Sequence, residues 1–147
     1  MMSQPTSRSV QPANLGSRGL VRADAELVCA RRATDPAEKF LHAHLAAIRA
    51  ASAVLEARGR PSPRTGARTV WEMLARVAPD LGRWSIYFAS GAKIRAALDA
   101  GRFDVVDRAR ADELVVCAED FRDEVALLLD PRAEFVRYPL HLVVPGA

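Results

Sequence analysis

AEKFLHAHLAAIRAASAVL, residues 37–55, decides the fold. Almost every residue in it is apolar or small, and Leu41, His44, Ile48, Ala51 and Leu55 recur in steps of three and four, which places them on one face of a helix. A helix this rich in alanine forms readily, and its short side chains let neighbouring helices approach closely. The stretch is therefore expected to be the central helix of a bundle.

Both of its ends are marked. Upstream, Thr34-Asp35-Pro36 offers a capping oxygen followed by a proline at the first helical position, where a missing N–H costs nothing. Downstream, Gly59 can end the helix, and RGRPSPRTGAR (58–68) reads as a loop. Thr69 and Glu72 have the spacing of a capping box, so a short third helix follows and stops before Pro79. A fourth helix is predicted over 81–100, capped by Asp80 and stopped by Gly101, with an inward stripe of Leu81, Trp84, Phe88, Gly91, Ile94 and Leu98. Gly91 falls in its middle and implies a close crossing with a neighbour. Asp107 is expected to cap a last helix over 108–129, with Leu114, Cys117, Phe121, Val125 and Leu128 facing inward. On that helix Glu119, Asp120, Asp123 and Glu124 read as an acidic, solvated outer face.

Before the central helix, a first helix is expected over 20–33, with Arg31 and Arg32 in its last turn. Residues 1–18 have few large apolar side chains and are expected to be a disordered leader. The tail, 131–147, mixes Val, Tyr, Phe and Leu with Pro139 and Pro145 and reads as a short extended arm. The reading is thus all-α: one domain of about five helices over 19–130, up-and-down in style, between a leader and a tail. Trp84, Phe88, Leu41, Ile48 and Phe121 are expected to share one core.

Composition sets bounds on function. A chain of 147 residues, 50% hydrophobic and 27% charged, is one ordinary globular domain. It holds no apolar run long enough to span a membrane and no signal-peptide core, so a cytoplasmic location follows by default. Cys29 and Cys117 read as small buried hydrophobes, and no His/Cys cluster has metal-site spacing, so neither metal nor cofactor is expected. Walker loops, dinucleotide-binding glycine patterns and Ser-His-Asp sets are absent.

The net charge of +3 is unevenly spread. Arg58, Arg60, Arg64 and Arg68 stand together in the 58–68 loop without an acid among them, which makes them the candidate ligand-binding residues for nucleic acid or an acidic partner. Trp71 and Trp84 are read as core rather than as stacking platforms, and Glu72 as a cap rather than a catalyst. Residues 101–147 are net acidic, a character that suits association with a basic surface.

Three segments, FLHAHLAAIRAASAVLEARGRP (40–61), VWEMLARVAPDLGRWSIYFASGAKIRAAL (70–98) and ADELVVCAEDFRDEVALLL (111–129), together resemble the small actinobacterial branch of the HEPN superfamily over about 30–130. That resemblance implies a bundle of four or five helices. Many members are ribonucleases that dimerise and act through an Arg-x(4–6)-His motif, in which histidine moves a proton and arginine neutralises a phosphate. Here no arginine lies five to seven residues before His42, His44 or His141. The resemblance therefore implies a non-catalytic HEPN-type module that contacts a protein partner or a nucleotide- or RNA-containing ligand, with a homodimer as one partner arrangement. The competing reading is a diverged ribonuclease that uses His44 and Arg49, in the reverse order of the motif.

Overall fold

The computed structural model describes residues 12–130 and 132, with side chains from Arg18 onward. Most of the expected leader (1–11) and the expected tail arm lie outside the described residues. Six α-helices follow one another: α1 Pro12–Arg32, α2 Pro36–Arg58, α3 Val70–Val77, α4 Gly82–Ser90, α5 Ala92–Asp99 and α6 Arg108–Leu129. No strand occurs among the described residues. The fold class is the expected all-α bundle of about five helices, with the fourth divided in two.

The capping residues set the boundaries. The Asp35 carboxylate accepts from the Glu38 amide at the start of α2, Thr69 and Glu72 form the reciprocal capping box of α3, and Asp107 accepts from Arg110 N at the start of α6. Each satisfies amide groups that a helix start leaves without partners. Two boundaries differ from expectation. First, α1 begins at Pro12, eight residues before Leu20, with proline again at the first helical position. Second, the fourth helix breaks at Gly91, and Asp80 caps nothing: it belongs to a short 3-10 turn over Pro79–Leu81.

The core is built round α2, which buries residues on most of its circumference: Ala37, Phe40, Ala43, His44, Ala47, Ala50, Ala51, Val54 and Leu55 among them. Phe40, absent from the expected stripe, is fully enclosed, while Leu41 and Ile48 are half-buried at its edge. The other half of the core is aromatic. Phe88 lies with ring centroids 5.1 Å from Trp71, 5.2 Å from Phe121 and 5.7 Å from Trp84. Trp84 is the outermost of the four and only partly buried, because its indole N–H donates to the Glu124 carboxylate at the surface.

Only three residues join α1 to α2, so the two lie antiparallel and in contact. Gly19 of α1 makes the contact close: a β-carbon there would stand 2.7 Å from Ala53 Cβ and 3.0 Å from Ala53 Cα. Backbone cannot swing away as a flexible side chain can. Gly19→Ala is therefore expected to lower stability by about 1–3 kcal/mol through overpacking, against a helix-propensity gain of about 1 kcal/mol; urea unfolding at constant m-value would measure the net loss, and a stabilised variant would contradict the packing.

The first residues of α2 and α6, Pro36 and Arg108, line one cleft with the last residues of α1. Hence α2 and α6 start at the same end of the molecule and run in the same sense, unlike a strict up-and-down bundle. The segment from 59 to 107, carrying α3, α4 and α5, makes the return that a parallel pair requires. Two helix N-termini are thereby gathered at one end.

Candidate functional site

The four loop arginines are held by different partners. The chain there is ordered by a 3-10 turn over Pro63–Thr65, with the Ser62 side chain accepting from Arg64 N and Gly66 left-handed at φ 77°. The Arg58 guanidinium donates to the Val77 carbonyl at 3.2 Å, so it serves the open C-terminal end of α3. Arg60 reaches Met73 Sδ at 3.9 Å. Arg64 and Arg68 are exposed and are held through their backbone amides, by Ser62 and Glu72.

Of the candidate catalytic pair, His44 is only 2% exposed. Its ring stacks on Phe40, meets the edge of Trp71, and has Nε2 3.0 Å from the Phe88 carbonyl. That carbonyl can only accept, so Nε2 carries the proton and donates. Nδ1 is buried with no hydrogen-bond partner among the described residues, as is Ser85 Oγ. Burial is the main reason the His44 pKa falls below 6.5, with the Phe88 carbonyl acting the other way and Arg95 and Arg110 adding to the fall. Gly91 backs the ring, since a β-carbon there would lie 3.2 Å from His44 Cδ2. The close approach expected of Gly91 is therefore to a side chain of α2, at the break between α4 and α5. Arg49 is half-exposed, and five residues turn a helix by about 140°, so the two side chains leave α2 in different directions.

The acidic face of α6 is a correction. Asp123 is 2% exposed, and Arg122 Nη1 lies 3.3 Å from it. Arg122 also holds Asp24 of α1 in a two-pronged pair, at 2.8 and 3.0 Å. Glu119 pairs with Arg31, and Glu124 with Arg83 and Trp84. Glu119 and Glu124 thus fasten α6 to α1 and α4, Arg122 ties it to Asp24 of α1, and Asp123 is buried. Cys29 is a second correction: it is exposed, and Cys117 is half-buried.

Several cations line a cleft at the shared end of α1, α2 and α6. Its volume is about 290 Å³, and Arg31, Arg32, Thr34, Lys39 and Arg108 line it against one carboxylate, Asp112. Arg31 is held by Glu119 at 2.8 Å and Lys39 by Asp112 at 3.0 Å, so both heads are fixed in place. Arg32 and Arg108 are exposed and have no ion-pair or hydrogen-bond partner among the described residues. The N-termini of α2 and α6 also open here, each capped by a carboxylate, Asp35 and Asp107. An oxyanion entering here meets the two exposed guanidinium groups of Arg32 and Arg108 beside the paired cations of Arg31 and Lys39. The sequence reading had used Arg31 and Arg32 only as partners for the end of their own helix. Thr34, Lys39 and Arg108 are far apart in sequence, and only the parallel course of α2 and α6 brings them together.

A family model described as SAV_6107-like HEPN matches residues 30–126. No curated protein and no solved structure matches the chain.

Proposed function

The chain belongs to the SAV_6107-like HEPN family, and from that premise we propose that it is a non-catalytic binding module whose ligand carries phosphate, as an RNA or a nucleotide does. The observation that carries this reading is the cleft of Arg31, Arg32, Lys39 and Arg108, in which Arg31 is paired with Glu119 and Lys39 with Asp112 while Arg32 and Arg108 are exposed. The loop of Arg58, Arg60, Arg64 and Arg68 follows the last residue of α2 and so lies at the other end of that helix from the cleft. A proton-transfer role for His44 is disfavoured by its enclosure and by the use of its one N–H on Phe88.

Equilibrium binding of a labelled single-stranded RNA, measured at several salt concentrations, tests the reading. Affinity is expected to fall steeply with salt, with a log–log slope of about −0.7 per phosphate neutralised. Arg32→Glu combined with Arg108→Glu should weaken binding at least tenfold and shallow the slope by roughly 1.4, while the RNA is recovered intact. Both side chains are exposed, so the fold should not suffer. Binding that ignores this pair, yet vanishes when Arg58, Arg60, Arg64 and Arg68 become Ala, would move the site to the loop. Cleavage of the RNA that depends on His44 and Arg49 would replace the module with a diverged ribonuclease.

A further inference from the structure

On the outer seam between α1 and α2 three different metal-ligating side chains converge. Glu26, Cys29 and His42 each offer one ligand atom, and these atoms all lie within 4.8 Å of one another. His42 Nδ1 is 2.8 Å from Glu26 Oε2. Glu26 and Cys29 are three residues apart on α1 and so share one face, and His42 reaches them from α2. No such spacing is visible along the chain, because the third ligand enters only when the helices pair.

We propose that Glu26, Cys29 and His42 form a zinc-binding site with one open coordination position. The donor set selects the metal. Thiolate and imidazole disfavour calcium and magnesium, which take oxygen, and one each of S, N and O suits a borderline-soft ion without geometric demands. The spacing also fits. Ligands at tetrahedral zinc, with Zn–S near 2.3 Å and Zn–N and Zn–O near 2.1 Å, stand roughly 3.3–3.8 Å apart. The three atoms need shifts of an ångström or so, available by side-chain rotation at a surface where Cys29 is exposed and the His42 and Glu26 side chains are 33% and 23% exposed. That same exposure leaves the fourth position to water. On binding, the Cys29 thiol proton leaves to solvent, the ring proton of His42 moves from Nδ1 to Nε2 by exchange with solvent, and the His42–Glu26 hydrogen bond is replaced by two metal–ligand bonds. The ion ties α1 to α2. Since the family match begins at residue 30, Glu26 and Cys29 lie just before it and His42 lies within it.

Cobalt titration of tag-free, reduced, full-length protein tests the assignment. One Co²⁺ per chain is expected to bind with a thiolate-to-cobalt charge-transfer band, to be displaced by equimolar Zn²⁺, and Zn²⁺ should raise the melting temperature. Cys29→Ser should abolish the band. His42→Gln and Glu26→Gln should weaken binding by at least the roughly 10–100-fold that loss of even an outer partner costs, while Cys117→Ser changes nothing. All four variants should keep the far-ultraviolet dichroism of the parent, since none of these side chains is fully buried. Absence of the charge-transfer band, or affinity unchanged in both Cys29→Ser and His42→Gln, overturns the site.

Discussion

Phe88→Ala is expected to lower the unfolding free energy by about 3–5 kcal/mol, the range for truncating a buried aromatic residue. Phe88 has no exposed surface and touches Trp71, Trp84, Tyr87 and Phe121 within 5.1–5.7 Å, centroid to centroid. Alanine would leave a cavity walled by rings that cannot collapse into it, because Trp71 is fixed in α3 and Phe121 in α6. The offset and tilted ring contacts go as well, each worth about 0.5–1.5 kcal/mol beyond area. Trp84→Ala should cost less, since Trp84 is partly exposed and its indole is anchored to Glu124. Urea denaturation of both variants gives the comparison. A Phe88→Ala loss below about 1 kcal/mol, or a Trp84→Ala loss exceeding it, would contradict the placement of Phe88 at the centre of the cluster.

The features legible in the sequence are those whose physics is local. Asp35, Thr69 with Glu72, and Asp107 cap their helices because each acts on amides two or three residues away. The same local rule reaches further than it was applied: Pro12 opens α1 as Pro36 opens α2, but the few apolar residues after Pro12 masked it. Features that depend on another helix were not legible. Glu119 looks like solvated charge on the α6 pattern alone; Arg31 of α1, 88 residues away in sequence, is what pins it. Gly91 signalled a close contact correctly, yet nothing local shows that the helix also breaks there. The cleft was hidden for a topological reason. Its cations come from the end of α1, the start of α2 and the start of α6, and a sequence read as up-and-down places those starts at opposite ends.

His44→Ala is expected to cost about 2–5 kcal/mol, as for other large buried side chains, and His44→Gln much less, because the glutamine amide can still donate toward the Phe88 carbonyl. The two variants separate packing from titration. In the folded protein a second proton on the ring would go to Nδ1, which is buried with no hydrogen-bond partner among the described residues, so the folded state resists protonation and the pKa sits below 6.5. The unfolded chain has no such resistance and takes the proton near the ordinary value. The stability that neutral His44 supports is therefore whole above about pH 6.5 and is lost as pH falls from there toward the lowered folded pKa, at up to about 1.4 kcal/mol per pH unit. Arg95 and Arg110, which lower the His44 pKa, and Asp99, which raises it, are present in parent and variant alike. Subtracting the His44→Gln pH profile from that of the parent leaves the contribution of this one ring. A parent that loses stability below pH 6.5 faster than His44→Gln fits an enclosed, neutral imidazole. Parallel profiles would mean that His44 takes up its proton as readily in the fold as out of it, which an open, solvent-served histidine does and an enclosed one does not; the diverged-ribonuclease reading needs that open histidine.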